Sequence, residues 1–220
     1  MATATNGNNG RVSARQKCYD VLRRMLICGQ IPPGSRLPEV EWSERLEVHR
    51  GGLREALVLL EHDGLLTQGE KGGFFAPILG DFELEEIMQA RCVLESGAIK
   101  LITARRLKKD AFQPLIELCE TMQRLHDADI ELGFCEADFM FHQSLVSLTG
   151  NSRLIQMYSH STQLIFNLSP VDTIDVVRSN RRQTLVEHRE LCRLLIAGET
   201  DTAIRLLEDH MSHPSSSDPK

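Results

Sequence analysis

Nowhere in the 220 residues does an apolar run approach the ~18 residues that a membrane-spanning helix needs, so no span is expected. Met1 to Gly10 is polar and lacks the apolar core of a signal peptide, which predicts an unstructured leader on a cytoplasmic protein. The six cysteines, Cys18, Cys28, Cys92, Cys119, Cys135 and Cys192, contain no C-x-x-C pair and no disulfide-like framework. They read as small core residues of a reducing compartment. A general excess of positive charge is also missing. The net charge is −6, with ten Lys/Arg against nine Asp/Glu in residues 1–80 and fifteen against twenty-two in residues 81–220. A protein coated for nucleic acid is excluded, and any contact with phosphate must be local.

What is present begins with an ordered series of turns and short helices. Asp20, Val21, Leu22, Met25, Leu26 and Ile27 fall at helical spacing, and Gly29 with Pro32-Pro33-Gly34 ends that helix. Glu39 to Leu46 predicts a second helix with Val40, Trp42 and Leu46 inward. A third starts near Arg50, with Leu53, Ala56, Leu57 and Leu60 facing a core while Arg50 and Arg54, one turn apart, project from another sector. Leu65-Leu66-Thr67 and Phe74-Phe75-Ala76 predict two short strands around a loop holding three glycines and Lys71, a wing able to approach a sugar-phosphate chain. Two helices joined by a tight turn fit helix-turn-helix docking, and an arginine fork suits guanine. The competing reading of the arginines is a solvated face, or a salt bridge from Arg54 to Glu47 or Glu55.

Residues 14–78, through P-P-G-S-R-L-P-E, V-H-R-G-G-L-R-E-A-L and L-E-H-D-G-L-L with its glycine-rich wing, resemble the winged helix-turn-helix head of GntR-family transcription regulators. The resemblance implies DNA contacts at His49, Arg50, Gly51, Gly52 and Arg54, with Gly72 and Gly73 in the wing beside Lys71. His49 stands where the family usually has Ser or Thr, and Gly51-Gly52 where it has Thr-Pro or a similar pair. The two glycines remove side chains that could reach bases, and the departures bear on which operator is read.

From Asp81 onward the chain shows no strand alternation. Helices are predicted at about 82–107, 110–129, 132–149, 152–168, 175–197 and 200–212, with Asp81 and Asn151 as N-caps, Gly150 and Gly198 as helix ends and Pro170 as a stop. The fold class is therefore mainly α: a winged helix-turn-helix with a small β-hairpin, followed by an all-α bundle. The domains divide as a leader at 1–13, a head at 14–78, a body at 79–212 and a Pro/Ser-rich tail at 213–220.

Within the body, Asp138 and His142 are one helical turn apart and share a face. His188 and His210 lie ten to twelve residues on either side of the turn near Gly198. Antiparallel packing then places both at nearly the same depth, roughly 15 Å from the hairpin end. Three imidazoles and a carboxylate suit a divalent metal such as Zn, Ni, Mn or Fe. Cys192, one turn beyond His188, either approaches the same point or packs in the core. His126, His160 and His213 have no matching companions.

D-F-M-F-H at 138–142, E-H at 187–188 and D-H-M at 209–211 resemble the metal-binding motifs of the FCD effector domain of the FadR branch, in its six-helix, VanR-like variety. That resemblance implies Asp138, His142, His188 and His210 as ligands, and Arg91 as a guanidinium facing an effector cavity. A salt bridge from Arg91 to Glu95 is the alternative. Four protein ligands close a tetrahedral structural site, whereas an octahedral ion keeps two positions for water or a carboxylate. The expectation is a non-enzymatic, ligand-responsive repressor, a homodimer on a palindromic DNA operator with a small carboxylate effector. Two other readings stay open: a metal-dependent hydrolase or lyase with a DNA-binding appendage, and a regulator with a purely structural metal controlled by a protein partner.

Overall fold

The computed structural model describes residues 13–161 and 174–212. Residues 1–12 of the predicted leader, the tail with His213, the Pro170 stop and the end of the helix expected at 152–168 lie outside them; Ser13, expected in the leader, caps the first helix.

The head runs α1 (Ala14–Ile27), β1 (Arg36–Leu37), α2 (Glu39–Arg45), α3 (Arg50–His62), β2 (Thr67–Gln68) and β3 (Phe74–Phe75). The Ser13 hydroxyl accepts from the Gln16 N–H at 3.1 Å and so starts α1. Its buried stripe is Cys18, Leu22, Leu26 and Ile27, and Val21, expected inward, is on the solvent side. In α2 Trp42 is buried as expected, but Val40 is exposed because it sits two residues away on a seven-residue helix. Leu53, Ala56, Leu57 and Leu60 of α3 are fully buried against α1. The wing has three strands, in the order β1-β3-β2, all antiparallel. Strand β1 is not expected from the sequence, since two residues after a proline turn carry no alternation to detect. Its pairing of Arg36 with Phe75 and Leu37 with Phe74 ties the wing to the turn before α2.

The body has six α-helices among the described residues: α4 (Asp81–Arg105), α5 (Gln113–Asp127), α6 (Glu131–Ser147), α7 (Ser152–Ser161), α8 (Ile174–Ala197) and α9 (Thr200–Ser212). The helix expected from 110 is a short 3-10 turn, Lys109–Phe112, and α5 begins only at Gln113. Pro114 explains the break, since it has no N–H to give and is tolerated only in a first turn. At α4 the cap is Gly80, not Asp81; its N–H donates to the Glu83 carboxylate at 2.9 Å. The Asn151 side chain caps α7 through the N–H groups of Arg153 and Leu154. Gly150 and Gly198 both close helices at positive φ, 60° and 74°, where a Cβ is penalised.

The body core joins α4 through α9 around Ile99, Phe112, Phe141, Leu145, Tyr158 and Leu195. One body residue, Phe139 of α6, belongs instead to the head's core. Arg23 of α1 stacks over its ring at 4.6 Å, and Arg24 pairs with Glu136 at 2.7 Å. Helix α6 therefore carries the head on one face and, at Asp138 and His142, the candidate site on another. Among the described residues no helix is long and apolar enough to cross a membrane.

Candidate DNA interface and metal centre

His49 is the residue before α3, and Arg50, Gly51 and Arg54 are exposed on its first turns. The helix N-terminus there carries partial positive charge of its own, so backbone and guanidiniums favour the same anionic partner. Arg54 is 3.8 Å from Glu39 of α2, and neither Glu47 nor Glu55 is its partner. With 72% of the Arg54 side chain exposed, that pair is a weak tether. Gly51 and Gly52 differ. A Cβ on Gly51 meets nothing within 4 Å, whereas one on Gly52 lies 3.3 Å from the Ala14 Cβ, so Gly52 lets α3 approach the start of α1.

Lys71, Gly72 and Gly73 form the exposed wing tip, with φ of 80° and 91° at the two glycines. A cation that sequence reasoning missed stands beside them: the exposed Arg36, whose Nε lies 3.4 Å from the Cβ position of Gly73. Only the pairing of β1 with β3 brings it there.

The four body residues singled out in the sequence do converge. Asp138, His142, His188 and His210 each bring one ligand atom within 4.8 Å of the others. The Nε2 atoms of His142 and His188 are 3.1 Å apart, and Asp138 Oδ1 is 3.9 Å and 3.5 Å from them. His188 and His210, on the packed hairpin of α8 and α9, have ring centres 4.9 Å apart.

Two carboxylates not assigned from the sequence orient these rings. Glu95 of α4 lies 2.7 Å from His142 Nδ1, and Glu187 of α8 lies 2.6 Å from His210 Nδ1. An imidazole that donates from Nδ1 to a carboxylate keeps its Nε2 lone pair free, and this outer-shell arrangement is common at metal sites. Phe141 stacks on His188 at 4.0 Å with the planes 7° apart, fixing the third ring. Glu95 is the hub. It also accepts from Arg91 Nε at 2.6 Å and from the Tyr158 hydroxyl at 2.7 Å.

Electrostatics keep the donors ready. Burial lowers the His142 pKa, with Arg91 adding to the effect while Glu95 opposes it. His188 is held well below its ordinary value by burial first and then by His142 and His210. Both rings are therefore neutral and able to donate lone pairs. Burial resists the charge of Glu95, but His142 and Arg91 outweigh it and bring its pKa down to about 2.

Arg91 is buried beside this site and forms the predicted alternative, the ion pair with Glu95. Cys192 packs against Cys119, Sγ to Sγ 4.0 Å. His126 and His160 are not part of the constellation.

A winged helix-turn-helix joined to a helical bundle with a buried His/Asp cluster defines a class, the two-domain DNA-binding regulators. Residues 14–76 match the family described as bacterial regulatory proteins, gntR family, and residues 86–213 match the FCD domain. The chain belongs to the GntR family of transcription regulators, with an FCD domain behind the head. It is 30% identical over 141 residues to an uncharacterized HTH-type transcriptional regulator in the TAR-I ttuE-ttuC′ intergenic region of Agrobacterium vitis, covering 63% of this chain and 80% of that one. Over 196 residues it is 26% identical to the uncharacterized HTH-type regulator YdhC of Bacillus subtilis, 89% of this chain and 86% of that one. The solved structure of E. coli McbR/YncC has the same fold, with a TM-score of 0.75 at 21% identity, over 91% of this chain and 94% of that one. The family is one of DNA-binding transcription regulators, not enzymes.

Proposed function

We propose that the chain is a metal-dependent, ligand-responsive repressor that binds a palindromic operator as a homodimer. The observation that carries the metal is the convergence of Asp138, His142, His188 and His210 with two of their rings held by buried carboxylates. Zinc, nickel, manganese or iron(II) fits this donor set. Bound there, the ion supplies Lewis acidity toward an oxygen ligand. An octahedral ion held by these four residues would keep positions for a small carboxylate.

Arg91, buried beside His142 and ion-paired with Glu95, is the proposed effector anchor, since a guanidinium can meet a carboxylate through more than one N–H group. An effector acts only through its differential affinity for two placements of the heads. Helix α6, with Asp138 and His142 on one side and Phe139 and Glu136 against α1 on the other, is the proposed connection. On the DNA side, Arg50 and Arg54 are the proposed base readers, with His49 and Gly51 close to the backbone and Lys71, Gly72 and Gly73 on the phosphates. Gly52 is proposed as the close-packing point that sets the tilt of α3. A second copy is supported by Val93 and Leu101, exposed one above the other on α4 with Gly97 between them. The domain limits 14–78 and 79–212, and a cytoplasmic location, belong to the same proposal.

Elemental analysis of untagged protein, followed by operator binding measured with and without chelator and small organic acids, tests the reading. Stoichiometric metal lost in His188→Ala, and an acid whose binding needs that metal, are expected. Metal retained in His188→Ala would mean that the ligand set is wrong. Acid binding that is equal with and without metal would leave the ion a structural role.

A further inference from the structure

A second group of donors lies where the recognition helix ends. His62 is the last residue of α3, and Asp63 is its C-cap. His160 comes from the body, in the last described turn of α7. The three bring one ligand atom each within 4.8 Å of one another, and none belongs to the buried constellation. Asp63 Oδ1 faces both rings, 3.3 Å from His62 Nδ1 and 4.0 Å from His160 Nε2.

The group is held in place from outside. The Tyr19 hydroxyl donates to Asp63 Oδ2 at 2.5 Å, which leaves Oδ1 for the histidines. His160 Nδ1 donates to the Gln156 carbonyl at 2.7 Å, which leaves the Nε2 lone pair toward the carboxylate. These are the outer-shell contacts that fix tautomer and orientation at metal sites. The position also favours a cation on independent grounds, because the C-terminal end of α3 carries partial negative charge beside the Asp63 carboxylate. With 72% of the His62 and 46% of the His160 side chain exposed, an ion can enter from solvent and keep water ligands.

We infer that His62, Asp63 and His160 form an exchangeable site for a divalent d-block cation that clamps the far end of the recognition helix onto the body. Imidazole and carboxylate donors with open positions suit zinc, nickel or copper. Two of the ligands belong to the head and one to the body, so binding stabilises the head–body arrangement in which the three meet. Through the 13 residues of α3, about 20 Å, that constraint reaches Arg50 and Arg54.

Zinc alone is the probe, counted by elemental analysis after equilibrium dialysis of the full-length chain. His160→Ala and His62→Ala are each expected to hold one zinc equivalent fewer than wild type, with unchanged circular dichroism since both side chains are exposed. Tyr19→Phe should weaken that equivalent by about tenfold. In a His188→Ala background, one equivalent should persist and then disappear on adding His160→Ala, which separates this site from the buried one. Hydrogen exchange should slow at the end of α3 and around residue 160 when zinc is added to wild type, and not in His160→Ala. If wild type and His160→Ala take up the same amount of zinc with the same affinity, the cluster is only a hydrogen-bonded contact and the inference is overturned.

Discussion

At the scale of residues, the proposed metal site depends on groups that are not themselves ligands. Glu187 is placed to hold the tautomer and direction of His210. Replacing it with Gln is expected to lower metal affinity about 10–100-fold without unfolding the protein, measured by competition against a chelating dye. The pH dependence follows from His142 and His188, whose folded pKa values lie below the unfolded value of about 6.5. The unfolded chain then binds more protons, so the contribution of these rings is complete above about pH 6.5 and is lost as pH falls through it. Chelator-treated protein should therefore show a falling denaturation midpoint between pH 7 and 5. A flat profile would mean that these rings are not held neutral.

The elements show how a single position acquires its role from a neighbour. On α3, Arg54→Ala is expected to weaken specific operator binding by roughly 1 to 3 kcal/mol while leaving helicity intact, as read by fluorescence anisotropy and circular dichroism. Gly51 and Gly52 are adjacent and look equivalent in the sequence. Gly51→Ala should stabilise the head by up to about 1 kcal/mol in urea denaturation, because its Cβ meets open space. Gly52→Ala should gain less or lose stability, since its Cβ must fit 3.3 Å from that of Ala14. Helix periodicity made α3 and its buried face legible, because four apolar residues at three- and four-residue spacing leave one way to fold. Strand β1 was not legible: it consists of two residues whose only reason to be extended is β3, far along the chain. The break before α5 is signalled by Pro114, which is confined to a first turn.

For the whole molecule, charge and linkage set the behaviour. With a net +1 in residues 1–80 and −7 in residues 81–220, the expected loss of DNA affinity with salt is moderate, from few phosphate contacts, and a titration from low to physiological salt measures it. A metal that binds only the folded body should raise its stability by about 2.7 kcal/mol at a hundredfold excess over Kd, seen as a metal-dependent melting temperature. The amino-acid order alone determined the two-domain plan, the shared face of Asp138 and His142 and the matched depth of His188 and His210, since helical period and hairpin symmetry are local properties that place side chains along an axis; that the two pairs meet was implied only by the resemblance to the FCD domain. Tertiary structure alone decided what surrounds those donors. Glu95 and Tyr158 reach the site from other helices, Phe139 leaves its own domain for the head's core, and His160 meets Asp63 across the joint. Such pairings depend on which faces pack together, and packing is settled by the sum of many distant contacts that no short stretch of sequence encodes.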